Sequence, residues 1–247
     1  MLILGALAAL YVAGVVRGSR GGHRLSLRHG LTFAAGVAAL FLTLGSPLHH
    51  LSDDVSFTAH MVQHQLLTLV VPPLLLLGIP VWMAEPVLNV RWLARFGRQR
   101  AYPVVAFLAF NLLFAYAHFP AIYDRVFGIE LLHRATHVVF LLTATVRWLP
   151  LLSPAPAILP RLSSPGQMLY CFLQSIPGSV VGSLLTLSDR VLFTRYAMRP
   201  PDVGFGLLED QQLGGLLMWV VEGTFWLAVL TVIFFRWADR EERRLFG

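Results

Sequence analysis

GLTFAAGVAALFLTLGSPL, residues 30–48, runs for 19 positions without a charged side chain. A bilayer core needs roughly 20 predominantly apolar residues per helix, within a range of about 17–25. Working outward, comparable stretches lie at approximately 1–16, 56–82, 101–119, 129–149, 166–188 and 212–236. The expected fold is therefore all-α: a polytopic transmembrane helical bundle with seven spans, forming one integral membrane domain over 1–247. Only 13% of the chain is charged and 56% is hydrophobic. A soluble domain carries about twice that charge, so the apolar excess is assigned to lipid. Pro72 and Pro73, in VVPPLLLLGIP, must kink or break the third span. Lipid holds no water for the freed backbone groups, so neighbouring helices or polar side chains must satisfy them.

The ends carry little else. Met1 to Val16 has no basic residue before it and no clear cleavage site, so it reads as a retained first span rather than a signal peptide. Cys171 is the single cysteine, which excludes an internal disulfide and a Cys-rich metal site. All 19 basic residues are Arg. The net charge of +6 sits in short loops, which reads as membrane topology and not as nucleic-acid binding.

Those loops set the orientation. Arg17, Arg20, Arg24 and Arg28 follow span one; Arg91, Arg95, Arg98 and Arg100 follow span three. Arg147 and Arg161 are counted after span five, and Arg236, Arg240, Arg243 and Arg244 after span seven. The alternate connections are poorer, with none near 49–55, Arg125 in 120–128, and Arg190, Arg195 and Arg199 in 189–211. The positive-inside rule puts the first set in the cytoplasm, so the N-terminus is expected outside and the C-terminus cytoplasmic. The outer segment 189–211, with Pro200, Pro201, Gly204 and Gly206, is expected to form an ordered cap or lid.

Seven of the nine histidines map to the outer side: His49, His50, His60, His64, His118, His133 and His137. His23 and His29 belong to the first cytoplasmic connection and read as surface residues. His60 and His64 in HMVQH, and His133 and His137 in HRATH, have the i, i+4 spacing that puts both rings on one helix face. His118 ends span four. Three helices thus bring five imidazoles to a similar depth. Imidazole suits Cu, Zn, Fe and Ni, and i, i+4 pairs on adjacent helices make a bidentate clamp. Interfacial placement or interhelical hydrogen bonding is the plainer use of a single such histidine. Two pairs in register favour function, because ionisable groups within a membrane are costly. No HExxH is present, which disfavours a zincin protease.

Glu222 lies in LMWVVEGTFW, near mid-bilayer, and is a functional candidate by its position. Gln211, Gly215, Met218 and Glu222 share one helical face. Met218 is a candidate soft ligand for Cu(I), with core packing as the alternative. Glu222 either orients a ligating imidazole or is a protonated carboxyl bonded to a neighbouring helix. Asp53, Asp54, Asp124, Asp189, Asp202, Glu209 and Asp210 form an outer acidic group able to draw in a cation, or else an ordinary solvated surface. Gly178, Ser179, Gly182, Ser183 and Thr186 give span six a small-residue face for close packing.

SPLHHLSDDVSFTAHMVQHQLL, then PPLLLLGIP, HFPAIYD, HRATHVVF and LLEDQQLGGLLMW, in that order, resemble the CtaG family of cytochrome c oxidase (caa3-type) assembly factors. The resemblance runs from about Ser46 to Trp219. It rests on His60, Met61, Gln63 and His64; on His118, Pro120, Tyr123 and Asp124; on His133 and His137; and on Asp210, Gln211, Gly215 and Met218. It implies a multi-pass protein of the bacterial cytoplasmic membrane that helps mature a haem–copper oxidase by delivering copper to an oxidase subunit. The expected metal ligands are His60, His64, His118, His133 and His137. Met61, Met218, Glu222, Asp124, Asp210, Gln211, His49 and His50 are the ancillary candidates. Three alternatives stay open: a bis-histidine haem protein using His64 and His137, a metal-dependent membrane hydrolase with Glu222 as base, and a purely structural scaffold for the oxidase.

Overall fold

The computed structural model describes residues 2–193 and 206–246, the side chains of Leu2, Ile3, Asp54 and Phe127 excepted. Arg195, Arg199, Pro200, Pro201, Asp202 and Gly204, the middle of the expected cap, lie outside the described residues, as does the carboxylate of Asp54.

Among the described residues all regular structure is helical. Seven main helices are α1 (Leu2–Arg20), α2 (Leu27–Leu44), α3 (Phe57–Gly78), α4 (Tyr102–Ala117), α5 (Glu130–Leu152), α6 (Ser164–Thr186) and α7 (Leu207–Phe246). Each expected apolar stretch falls on one of them. Five segments are long and apolar enough to cross a membrane: Leu27–Asp53, which runs past α2, together with α3, α5, α6 and α7. A sixth arises if α4 is joined to the short helix Arg91–Gly97, which meets it at 98°. Further short helices, Pro47–His50, Val81–Leu88 and Pro120–Phe127, turn the chain at the bundle ends.

The helix starts follow local chemistry. Ser26 caps α2 by accepting from the His29 N–H, and Ser56 caps α3 by accepting from the Ala59 N–H. Each supplies an oxygen to a backbone donor that has no partner within its helix. Wider π turns interrupt the helical run at Leu66–Val70 in α3 and Leu217–Val221 in α7, and another occupies Leu51–Val55. The first of these precedes Pro72 and Pro73. Pro72 cannot donate to the carbonyl four residues back, that of Thr68. The Trp148 indole of α5 donates to that carbonyl instead, at 2.9 Å. The break expected at the prolines is thus absorbed by one π turn and one interhelical hydrogen bond, and α3 continues to Gly78.

Packing places the arginine-bearing connections at one end of the bundle. The His23 ring stacks on Trp82 at 5.2 Å, Gly97 abuts the Ile158 carbonyl, and Arg240 donates to Ser164 Oγ at 3.0 Å. Arg147 does not belong to that set. It is fully buried within α5, which corrects its assignment to a loop; the other arginines of these connections carry the charge asymmetry.

Lipid is as apolar as leucine, so helix association depends on close fit and not on hydrophobic exclusion. The small-residue face of α6 supplies that fit. A Cβ on Gly182 would lie 2.6 Å from the Gly215 carbonyl oxygen of α7, and one on Gly215 would lie 2.7 Å from that of Gly182. These are backbone atoms that cannot yield. Gly182→Val should force α6 and α7 apart and lower stability by about 1–3 kcal/mol or more. Unfolding in detergent measures this, with Leu184→Ala, which is exposed on α6, expected within about 0.5 kcal/mol of the parent.

Candidate functional site

The histidine pairs meet as their spacing requires. On α3, His60 and His64 have ring centroids 4.3 Å apart; on α5, His133 and His137 are 4.5 Å apart. Across the two helices His60 lies 6.0 Å from His133 and 6.3 Å from His137, and His64 lies 5.7 Å from His137. His118, at the end of α4, lines the same cavity as these four. The cavity holds about 20 Å³, room for one small ion or water molecule. Phe140 closes it below, and Tyr123, edge-on to His60 at 5.7 Å, covers it above. Phe193 stacks on Phe57 at 4.8 Å and packs on Tyr123 at 4.4 Å.

Hydrogen bonds fix which ring nitrogens face the cavity. His118 Nδ1 lies 2.7 Å from the Phe114 carbonyl. A carbonyl only accepts, so Nδ1 carries the proton and Nε2 keeps a lone pair. That Nε2 is buried and has no hydrogen-bond partner among the described residues, and the same holds for His137 Nε2. His133 Nε2 donates to Asp53 Oδ1 at 3.1 Å, and His49 Nδ1 stands 3.6 Å from Asp53 Oδ2. Among the described residues, no group of three or more His, Cys, Asp or Glu side chains is already arranged to hold a metal ion.

A second small cavity adjoins it, sharing His64, His118 and Phe140. Met61, Met218, His64, His118 and Glu222 all line it, so both methionines singled out by sequence approach the histidines. Glu222 is buried, with Oε1 3.5 Å from Arg147 Nη1 and 3.4 Å from the Trp226 indole nitrogen. The Arg147 guanidinium sits over Phe110 at 3.7 Å. Its Nε and Nη2 have no hydrogen-bond partner among the described residues.

The remaining ancillary candidates separate into neighbours and supports. His49 borders the cluster, 5.9 Å from His137 between ring centroids. His50 is exposed on the short helix Pro47–His50, and Asp124 is half-buried on Pro120–Phe127; neither lines either cavity. Asp210 is no surface acid. It is 1% exposed and ties α7 to the start of α3, accepting from the Phe57 N–H at 2.6 Å, Ser56 Oγ at 2.7 Å and the Thr58 N–H at 3.1 Å. Gln211 serves the backbone, accepting from the Leu192 N–H and donating to the Arg190 carbonyl. Gln63 is likewise structural, accepting from Ser52 Oγ and donating to the Thr43 carbonyl.

Residues 9–240 match the family model described as cytochrome c oxidase caa3 assembly factor (Caa3_CtaG). The chain belongs to that family. Similar curated proteins include the uncharacterized proteins Mb0105 of Mycobacterium bovis and MT0111 of Mycobacterium tuberculosis. Each is 26% identical over 97% of this chain and 38% of the relative. ML1998 of Mycobacterium leprae is 23% identical over 94% of this chain and 38% of the relative. The chain thus spans about two fifths of the length of the curated relatives it matches. No solved structure matches.

In this member of the family, Arg147 was counted as a loop residue and missed as the buried partner of Glu222. It lies in TATVRWLP, inside an apolar window, and the argument that singled out Glu222 applies to it equally. Asp53 was read only as part of a diffuse acidic group, whereas it anchors His133. The buried ion pair yields a clear expectation. Arg147→Met alone leaves the Glu222 carboxylate buried without its cation, and should cost about 3–5 kcal/mol. Arg147→Met combined with Glu222→Met should recover most of that loss. Unfolding of both variants in detergent measures the difference.

Proposed function

We propose that this caa3 assembly factor takes copper, as Cu(I), at the outer end of its bundle and passes it to a subunit of the haem–copper oxidase. His60, His64, His118, His133 and His137 would hold the ion. The reading is carried by one observation: His118 Nε2, with its tautomer fixed by the Phe114 carbonyl, is buried without a partner among the described residues in the cavity shared with the other four. A desolvated nitrogen lone pair is costly to leave unused. Imidazole and thioether ligands suit Cu(I), and Met61 and Met218 line the adjoining cavity. The ring centroids stand 4.3–6.3 Å apart, so the rings would turn to bind and turn back to release, as a cargo site needs.

The setting belongs to the same proposal: seven spans in the bacterial cytoplasmic membrane, N-terminus outside, C-terminus inside, the histidines on the outer side. Support comes from the shared end of the arginine-bearing connections and from α1, whose apolar run coincides with the first expected span. The other readings have less support. A haem between His64 and His137 needs far more room than about 20 Å³. A hydrolase needs a free base, and Glu222 is engaged by Arg147 and Trp226.

Purified protein should retain copper, measured by elemental analysis after reductive loading. His60→Ala combined with His64→Ala should lose most of it, and His118→Ala should weaken it. Unchanged copper in the double variant would falsify the proposal. A Soret band in the parent protein would instead favour haem, and normal oxidase assembly by copper-free variants would favour a scaffold.

A further inference from the structure

At the arginine-bearing end, far from the histidines, α5, α6 and α7 diverge and leave a groove of about 690 Å³. Its walls are apolar: Trp148 and Leu152 on α5, and Phe225, Ala228, Val232 and Ile233 on α7. Its mouth is basic, formed by Arg161, Arg236 and Arg240. An acyl chain matches the walls, and a phosphate matches the mouth.

The charge at the mouth is not spent on nearby acids. Asp239 pairs with Arg243 at 3.0 Å and Glu241 with Arg244 at 3.6 Å. Among the described residues, none of the three mouth arginines has a carboxylate partner. Two of them are held in place by neutral groups. Arg161 donates from Nε and Nη2 to the Ser153 carbonyl, at 3.0 and 2.6 Å. Arg240 donates to the Arg236 carbonyl at 2.9 Å and to Ser164 Oγ at 3.0 Å. Three guanidinium groups thus face the edge of an apolar groove with their charge uncompensated. Basic pockets between transmembrane helices are the sites where phospholipid headgroups are recognised, and a planar guanidinium suits phosphate oxygens.

We propose that this groove binds an anionic phospholipid, its phosphate at Arg161, Arg236 and Arg240 and one acyl chain along α7. The site is separate from the copper reading and stands if that reading fails. Ser163 and Gln167 also line the groove and add polar groups at headgroup level.

The probe is phosphatidylglycerol against phosphatidylcholine, added to the delipidated full chain in detergent. Retained lipid is read by native mass spectrometry and Tm by thermal unfolding. Phosphatidylglycerol should be retained at least tenfold better and should raise Tm, while phosphatidylcholine should do neither. Arg236→Gln combined with Arg240→Gln should abolish the preference; Arg161 is left intact because it supports the Ser153 turn. Ala228→Trp changes no charge and fills the wall, and should cut retention of phosphatidylglycerol while leaving the helical fold unchanged. Equal retention of both lipids overturns the proposal, as does a preference that survives the double arginine variant. A photo-crosslinker at Ala228 should capture lipid in native membranes; capture of a polypeptide instead would overturn it in favour of a protein partner.

Discussion

A membrane interior offers no water to a carbonyl or N–H that has lost its partner, and the arrangement of this bundle follows from meeting that demand. Prolines in α3 free the Thr68 carbonyl, and α5 must come close enough for Trp148 to reach it. That contact sets α3 beside α5, which brings the two histidine pairs together. The start of α3 needs acceptors for its first N–H groups, and α7 provides them through Asp210. Meanwhile α6 meets α7 across two glycines. The histidine site is therefore held by hydrogen bonds and backbone fit that lie outside it.

Most of the architecture was legible in the sequence because helix and lipid leave local marks. Apolar runs gave the helices to within a few residues at most ends, and i, i+4 spacing gave the histidine pairs. The prolines signalled a break that the structure bridges. What stayed hidden depends on partners distant in the chain. Asp210 meets Phe57 across 153 positions, Asp53 meets His133 across 80, and Arg147 meets Glu222 across 75. A carboxylate in a connecting segment looks the same on paper whether it faces water or closes another helix. Arg147 was masked differently: counting arginines for orientation treats every one as a loop residue.

The two cavities adjoin, with His64, His118 and Phe140 lining both. The second also has Met61, Met218 and Glu222 in its wall, so its lining is not purely aliphatic. Together they expose imidazole nitrogen, thioether sulfur and a carboxylate already matched by a guanidinium. Two π turns, Leu66–Val70 and Leu217–Val221, contribute Thr68 and Met218 to the wall of the second cavity. Such interruptions occur frequently at functional sites; here they lie between the histidine level and the Arg147–Glu222 pair.

The clasp made by Asp210 has a further, electrostatic consequence. His60 sits in the first turn of α3, where a helix macrodipole places about half a positive charge. Any cation arriving at His60 would meet that repulsion in a region with little dielectric screening. The helix that begins at Leu207 presents a second positive end nearby. Asp210, buried against the first N–H groups of α3, sets its acceptor oxygens against the first of these ends. A residue that looks like a mere fastening between two helices thereby shapes the local potential around the imidazoles that, on the proposed copper reading, would receive a positive ion.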